Sequence, residues 1–416
     1  MKKRSTGRVQ RDFMRLWGAQ AISSFGARIA REGLPMTAVI TLKAGPEAIG
    51  VFAALALGAR AVVGLFAGAL ADHLPKRRLL IAADIARALV LAAIPLAALA
   101  GRLSLLEIYL AAVLMGAANV TFDVADHAFL PNLIEADGLT DGNARLAATE
   151  AVAEVGGPAL AGLLFQLVSP PIAVAVNAAT YVASAALLGR IGVGGAPPAG
   201  ETRPRFRLDL TAGAWLVLAH PLVRPLWLGD VIRGFFGAFF AALYILLAID
   251  ILKLTPGMLG LTIAMGGAGG LVGAAVAPWL TRRLGPGPTI LGAGLIGGAA
   301  LFLIPLAAGP PLIAMTVLAV AQLIGDALQT IAQIGAATLR QTVLPPGQLG
   351  RAGGAFATGA AAAGVAGALV GGARGAAIGP RETLLIAAAG VTAASLLVAF
   401  SPLARRDNVV GRTDRA

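Results

Sequence analysis

Four carboxylates lie within long apolar stretches of this 416-residue chain: Glu150, Glu154, Asp230 and Asp326. A carboxyl group in surroundings of low dielectric constant can alternate between a charged and a neutral form. Such groups are costly inside apolar segments and usually face a polar cavity or a partner. All four are therefore candidate proton carriers. Glu150 and Glu154 stand four residues apart, so their charges would disfavour each other; the alternative is that they lie near a polar surface and carry no proton.

Other polar residues in the apolar stretches show helical spacing. Gln322, Asp326, Gln329 and Gln333 share one face of a helix. Either that face lines a solvated cavity, or it forms a seam of hydrogen bonds with a neighbouring helix. Asp84 and Arg87 are three residues apart and are predicted to pair locally, as a structural element.

The composition indicates a membrane protein. Charged residues make up 13% of the chain, against roughly 25% in soluble domains, and the mean hydropathy is +0.81. The net charge of +12 is distributed over short gaps between apolar runs, which argues against a nucleic-acid-binding face. Cysteine is absent and the three histidines are scattered, so we predict no metal site and no cofactor.

Apolar runs of about 20 residues, the length that a helix needs to cross a bilayer, recur along the chain. We predict an all-α integral membrane protein of twelve transmembrane helices in two pseudo-symmetric six-helix bundles. The N-terminal bundle is predicted over 1–190, a polar cytoplasmic linker over 191–215, and the C-terminal bundle with a short cytoplasmic tail over 216–416. The predicted spans are 13–40, 47–71, 78–100, 104–124, 145–168, 171–190, 222–250, 257–280, 287–308, 311–336, 351–373 and 382–402. The eleventh is the least apolar, because it consists mainly of Ala and Gly.

The two halves resemble each other at an offset of 210 residues. Trp17 matches Trp227, Lys43 matches Lys253, and the segment 94–98 repeats as 304–308. Matched Trp, Lys and Pro are rarer by chance than matched Ala or Leu. The duplication either preserves helix packing alone or produces two halves that rock about a site at their interface, which is the geometry of alternating access.

Lys and Arg residues concentrate in alternate gaps between the spans, and the side of the membrane that holds them is predicted to be cytoplasmic. Both termini fall on that side. We therefore expect a multi-pass protein of the cell inner (plasma) membrane. The motif Gly-x-Gly-x-x-Gly at 292–297 lies inside an apolar span, so we interpret it as helix packing rather than nucleotide binding.

The loop after the second span resembles the signature of the major facilitator superfamily, G-x-x-x-D-R-x-G-R-R/K. Gly68, Asp72, Lys76 and Arg77 fit the pattern, whereas His73 and Pro75 depart from it. The resemblance covers nearly the whole chain. It implies a conformational latch in which Asp72 pairs with nearby cations on the cytoplasmic face; the alternative is that the loop only anchors the chain by its positive charges.

The fifth span carries a sequence similar to the antiporter signature G-P-x-x-G-G of exporters in this superfamily. Gly157, Pro158 and Gly162 match, and Ala161 stands where the pattern has Gly. The resemblance is to the drug and siderophore efflux branch, which is usually driven by proton antiport. It implies a kinked helix of small residues that seals one side of the transporter. Plain packing is the alternative, because proline is tolerated in membrane helices.

In this superfamily the first, fourth, seventh and tenth spans line the cavity. The resemblance therefore implies the following cavity-lining residues: Gln20, Ser23, Arg28, Arg31, Asn119, Arg233, Gln322, Gln329 and Gln333.

We expect a secondary active transporter that exports small amphipathic molecules in exchange for protons. The alternative is a facilitator or uptake symporter of a metabolite with the same fold. A third, less favoured hypothesis is a polytopic membrane enzyme or scaffold rather than a transporter. The chain is expected to act as a monomer, and its expected partners are the lipid bilayer, a small-molecule substrate and protons, with no nucleic acid.

Overall fold

The computed structural model describes residues 2–134, 136–192 and 210–400, and almost all of them are helical. Contacts divide the chain into two units, Met1–Ala44 with Leu55–Phe206 and Gly45–Ala54 with Arg207–Ala416. Most of the predicted linker, 193–209, and the predicted C-terminal tail from 401 onward lie outside the described residues. The predicted domain boundaries therefore stay predictions.

The first half of the chain forms six helices: α1 Lys2–Leu42, α2 Pro46–His73, α3 Lys76–Leu99, α4 Leu105–Phe129, α5 Ala136–Leu167 and α6 Pro170–Gly189. A short 3-10 turn follows α4. The second half begins with a short helix that the sequence did not predict, α7 Leu210–Ala219. The remaining helices are α8 Arg224–Leu246, which continues as a π-helical turn Leu247–Ile251, α9 Pro256–Leu284, α10 Pro286–Leu301, α11 Leu303–Leu306, α12 Pro311–Val343, α13 Pro346–Ile378 and α14 Pro380–Ala399.

Proline determines where many of the helices begin. Seven helices, among them α2, α9 and α13, have proline as their first residue, and α3 follows Pro75 directly. The first turn has no intrahelical partner for its N–H groups, so the missing N–H of proline costs nothing there. Several helices extend beyond the predicted spans, because the prediction followed the apolar stretch and the helices continue into polar sequence. The helix α13 is continuous over 33 residues despite its Ala and Gly content.

Ten helical segments in the described ranges are long and apolar enough to cross a membrane. The helices α1 and α5 complete the predicted twelve; they are long enough, with 41 and 32 residues, but less apolar. The first carries Arg28, Arg31 and Glu32, and the second carries Glu150 and Glu154. These two helices pack against each other in the first unit.

The helix α3 has its polar residues inside the protein and its apolar residues outside. Asp84 and Arg87 are buried, whereas Leu89 and Leu96 are about two-thirds exposed, at 67% and 65%. A soluble helix would show the opposite arrangement. The outward leucines are suited to lipid, where exposed apolar side chains need no cover.

The internal repeat is visible in the packing of each unit. In the first unit α1 packs on α5 and α6, and α3 packs on α4 and α6. In the second unit the equivalent helices make the equivalent pairs: α8 packs on α13 and α14, and α10 packs on α12 and α14. Lys43 and Lys253, which match across the halves, both have a positive φ, of 53° and 56°, at the end of a membrane helix.

Candidate functional site

The second unit contains a cavity of about 430 Å³ between α8, α12 and α13. Gly and Ala residues form much of its wall, and the polar and aromatic lining consists of Asp230, Arg233, Gln329, Gln333, Arg340 and Phe356. The helices α8 and α13 approach closely here, because a side chain at Gly234 would meet the carbonyl oxygen of Ala360 at 2.8 Å. The volume is within the range of small-molecule sites.

One ion pair belongs to this cavity. Asp230 and Arg233 are three residues apart on α8 and form a close salt bridge. The side chain of Asp230 is 32% exposed and that of Arg233 is 13% exposed, so the pair is accessible from the cavity. The carboxylate can therefore contact water in the cavity while it stays paired with the guanidinium of Arg233.

Arg340 also lines the cavity, and the sequence analysis did not single it out. Its guanidinium lies over the ring of Phe356, 4.5 Å from the centroid, in the geometry of a cation–π contact. Arg340 stands in the last turn of α12, and in the sequence a basic residue at such a position indicates an anchor at the membrane surface. Only the fold brings it beside a residue of α13, so no local sequence signal identifies it.

The polar face of α12 divides into two parts. Gln329 and Gln333 line the cavity. Gln322 and Asp326 lie one to two turns earlier and pack against α9, where a side chain at Gly266 would collide with the carboxylate of Asp326. Gln329 and Gln333 therefore line the cavity, whereas Gln322 and Asp326 lie at the contact with α9; the hydrogen-bond seam stays a prediction.

A second charged cluster joins α1 to α5 in the first unit. Arg28 Nη2 lies 3.2 Å from Glu150 Oε1 and 2.5 Å from Glu154 Oε2. Arg31 Nη2 lies 3.2 Å from Glu154 Oε1, and its Nε lies 2.9 Å from Glu32 Oε1. The two glutamates were expected to repel each other, but the guanidinium of Arg28 contacts both and offsets that repulsion.

The glycine motif of α5 lies against the same cluster. A side chain at Gly157 would collide with Cβ of Arg28 and would meet its Cγ at 3.0 Å. Pro158 is inside the helix and Gly162 is buried. The small surface at Gly157 therefore gives Arg28 the room to reach the glutamates.

A third pair, Asp84 and Arg87, is sealed inside the first unit. The two side chains are 0% and 2% exposed, and Arg87 Nη1 lies 3.1 Å from Asp84 Oδ1. The same Nη1 donates to Ser23 Oγ at 2.9 Å, and the guanidinium lies over the rings of Phe122 and Tyr181. This confirms the predicted local pairing. Because both side chains are buried, removal of one charge would leave the other uncompensated inside the protein.

Two of the predicted cavity residues of the first unit, Ser23 and Asn119, contact this sealed pair. Ser23 is buried and also donates to Asp84 Oδ1 at 3.3 Å. Asn119 contributes its carbonyl oxygen to Arg87 at 3.4 Å. Gln20 donates to Asp126 in a close hydrogen bond. In this structure Ser23 therefore belongs to the core.

Each unit has a buried or cavity-lining Asp–Arg pair, but the two pairs lie on helices that are not equivalent in the repeat. Asp230 and Arg233 of α8 match Gln20 and Ser23 of α1, at the offset of 210 residues. At the same offset, Asp84 and Arg87 of α3 match the glycines 294 and 297 of α10. Those two glycines pack closely against Ser395 of α14 and Leu328 of α12, as the interpretation of the Gly-x-Gly-x-x-Gly motif requires. One unit thus holds its pair in the core, and the other holds it at a cavity.

In the first unit, Arg77 of the predicted latch connects the start of α3 to the end of α6. Arg77 Nε donates to the carbonyl oxygen of Leu188 at 2.9 Å, and its Nη2 donates closely to that of Gly189. These carbonyls end α6, where a cation is favourable. Lys76 is buried at the start of α3. Gly68 and Asp72 belong to α2, but their surroundings are not among the described features, so the latch stays a prediction.

Within the described ranges, no three His, Asp or Glu side chains come together in a group that could hold a metal ion.

Residues 16–368 match the sequence profile of the Major Facilitator Superfamily, which is most of the chain. No curated protein matches the sequence. Solved structures with the same fold include the nucleoside transporter NupG, with a TM-score of 0.75, 12% sequence identity and coverage of 94% of this chain and 98% of that one.

A bacterial homologue of the iron transporter ferroportin, in an inward-facing state, has a TM-score of 0.71 and 18% identity over 94% of this chain and 98% of its own. A bacterial homologue of the human lysosomal transporter Spinster has a TM-score of 0.66 and 12% identity, with coverage of 95% and 99%. At these identities the likeness concerns the fold alone.

Proposed function

The chain belongs to the major facilitator superfamily and is a multi-pass membrane transporter, and on that premise we propose that it exports small amphipathic molecules in exchange for protons. The substrates proposed are those of the drug and siderophore efflux branch or related metabolites. The protein acts as a secondary active transporter by alternating access, as a monomer, with protons as the coupling ion.

The observation that carries this proposal is the Asp230–Arg233 pair in the wall of the cavity. A carboxylate that is accessible to water and paired with a cation can exist in two states, charged and paired or protonated and released. Binding of a proton at Asp230 frees Arg233 for other partners, and loss of the proton restores the pair. Such an exchange couples proton binding to the contents of the cavity.

The other three carrier candidates are in different surroundings. Glu150 and Glu154 are held by Arg28 and Arg31, so protonation of either one requires the loss of an ion pair between α1 and α5. Asp326 is packed against the α9 backbone at Gly266. Asp230 is therefore the first candidate for the proton-carrying carboxylate, and the other three remain candidates behind it.

The direction of transport rests on the fifth helix. Gly157, Pro158 and Gly162 resemble the antiporter signature. Gly157 packs against Arg28, so the motif lies at the contact between α5 and α1. Bending of α5 at Pro158 would move the glutamates relative to Arg28. This supports export, with α5 as a helix that closes one side of the protein.

The proposed location is the cell inner (plasma) membrane with both termini cytoplasmic. Arg77, Arg282, Arg283 and Arg340 all lie at helix ends on the proposed cytoplasmic side. The latch proposal, with Gly68, Asp72, Lys76 and Arg77, concerns the same side.

The test is proton-coupled flux in proteoliposomes. A susceptibility screen of a host that lacks its own pumps identifies compounds, and each compound is then added to proteoliposomes that hold a pH gradient and a fluorescent pH probe. Export by antiport predicts that a substrate dissipates the gradient and that the purified protein concentrates the substrate only while the gradient exists. Equal accumulation with and without the gradient would refute proton coupling.

A facilitator or uptake symporter of a polar metabolite is the second candidate. The amide side chains of Gln329 and Gln333 in the cavity suit a neutral polar solute, and the shared fold includes a nucleoside transporter. In the same proteoliposomes a facilitator equilibrates its substrate without moving protons. A symporter moves protons and substrate in the same direction.

A further inference from the structure

The cavity of the second unit carries an excess of positive charge. Two guanidinium groups, of Arg233 and Arg340, line it together with one carboxylate, of Asp230. Asp230 is bound to Arg233. Among the described residues no carboxylate lies within salt-bridge distance of Arg340, whose contact is with the ring of Phe356. Within the part of the chain that the structure describes, this second cation of the cavity is therefore left without an anion.

The surroundings of Arg340 suit an organic anion better than a bare inorganic one. The guanidinium of Arg340 lies over the Phe356 ring and carries five N–H donors, more than this single contact can occupy. Gln333 and Gln329 stand on the same helix face, two and three turns before Arg340, and offer amide donors. The alanines of α12 and α13 provide apolar wall for a hydrocarbon group.

Resting on the proposed function, we infer that this cavity selects small organic anions, with a carboxylate or a similar acidic group bound by Arg340 and an apolar or aromatic body against Phe356 and the alanines. A guanidinium binds a carboxylate through two parallel N–H donors, and this geometry discriminates against a neutral amide of the same shape. Protonation of Asp230 would add Arg233 as a second cation for the same anion.

The competing explanation assigns Arg340 to membrane-surface anchoring alone. Arg283 provides a matched comparison, because it also ends a membrane helix of the second unit and also lies over an aromatic ring, that of Trp279, at 4.7 Å. Arg283 is outside the cavity lining. If anchoring were the only role, the two arginines would respond alike to substitution.

The experiment measures binding to the purified full-length protein in detergent, where no gradient is needed. The probes are naphthoate, naphthamide and naphthylmethylamine, which share one ring system and differ in charge. Binding is followed by isothermal calorimetry and by the increase in unfolding temperature. We expect naphthoate to bind about tenfold or more tightly than naphthamide, and naphthylmethylamine to bind no better than naphthamide.

The variants are Arg340→Gln, Arg340→Lys and Arg283→Gln. Arg340→Gln should lose the preference for naphthoate over naphthamide, Arg340→Lys should keep part of it because the charge remains, and Arg283→Gln should bind as the unmodified protein does. Equal binding of naphthoate and naphthamide to the unmodified protein overturns the inference. Equal losses in Arg340→Gln and Arg283→Gln overturn it as well. If Arg340→Gln does not fold, the comparison of the three probes on the unmodified protein and on Arg340→Lys still tests the anion site.

Different results would refute the proposed exporter function and the proposed anion site. Naphthoate binding without any pH-driven flux would refute the exporter and leave the anion site intact. Flux of compounds that are all neutral or cationic, with no preferential binding of naphthoate, would refute the anion site and leave the exporter intact.

Discussion

Trp17 and Trp227 stand at equivalent positions of the two halves, and each ties the first membrane-spanning helix of its half to the fifth. The indole N–H of Trp17 donates to Thr149 Oγ1 of α5 at 2.8 Å. The indole N–H of Trp227 donates to the carbonyl oxygen of Ala355 in α13 at 2.9 Å. The duplication has therefore preserved a hydrogen bond between helices as well as a sequence match, although the acceptor differs.

Replacing either tryptophan by phenylalanine should lower stability modestly. Each change removes one hydrogen bond inside the membrane, worth about 0.5–1 kcal/mol, and keeps most of the ring packing. Thermal unfolding in detergent measures the effect. Trp279→Phe is the control, because this ring is about half exposed and contacts Arg283; a loss in the control as large as in Trp17→Phe would contradict the assignment.

Removal of Arg87 should be far more damaging than removal of the whole buried pair. Arg87→Gln leaves the carboxylate of Asp84 buried without its cation, which costs about 3–5 kcal/mol. The double variant Asp84→Asn with Arg87→Gln removes both charges and should recover much of that loss. Detergent-solubilised yield and unfolding temperature report the outcome. Additive losses in the double variant would show that the two charges do not compensate each other.

Asp230→Asn should abolish transport driven by a proton gradient while sparing counterflow. The amide cannot release a proton, but its size leaves the cavity unchanged. The variants Glu150→Gln, Glu154→Gln and Asp326→Asn test the other carrier candidates in the same proteoliposomes. If all four variants still concentrate substrate against its gradient, none of these carboxylates carries the coupled proton.

Gly157→Ala should impair transport and weaken the contact between α1 and α5. The added methyl group meets the side chain of Arg28, so either the helices separate or the guanidinium leaves Glu150 and Glu154. Gly292→Ala in α10 is the matched control, since a methyl group there meets no atom within 4 Å. That control should be neutral or stabilise the helix by up to about 1 kcal/mol. Equal transport by Gly157→Ala and Gly292→Ala would remove the basis for the role of α5.

Lys253→Gly should be neutral or stabilising, whereas Lys253→Val should destabilise the protein. The residue has φ of 56°, a conformation that costs a side-chain-bearing residue about 1–2 kcal/mol and that glycine adopts freely. Valine is branched at Cβ and adopts it least readily. Unfolding temperatures of the two variants provide the measurement, and the same pair of changes at Lys43 should repeat the result in the other half.

Much of the fold could be predicted from the sequence, because local patterns of residues along the chain determine the helices. Continuous apolar runs predict the spans, and the prolines at helix starts separate them. Matched residues such as Trp17 and Trp227 reveal the duplication. The ends of α5 and α12 were missed, because a helix continues past its apolar part wherever its backbone can keep its hydrogen bonds.

The site was less predictable, because its contacts join helices that are distant in sequence. The spacing of Gln329 and Gln333 indicates a polar face but does not identify what lies opposite it. Arg340 meets Phe356 only through the packing of α12 on α13. The burial of Ser23 depends on Arg87 of α3, and residue type alone does not distinguish a core serine from one that lines a cavity.

The charges shared by α1 and α5 have a consequence for synthesis of the chain. Arg28 and Arg31 emerge from the ribosome more than a hundred residues before Glu150 and Glu154. A charged residue near the middle of a membrane helix disfavours insertion by about 2.5–3.5 kcal/mol. We therefore expect α1 to insert less favourably before α5 has been made than after it, because α5 supplies the carboxylates of Glu150 and Glu154.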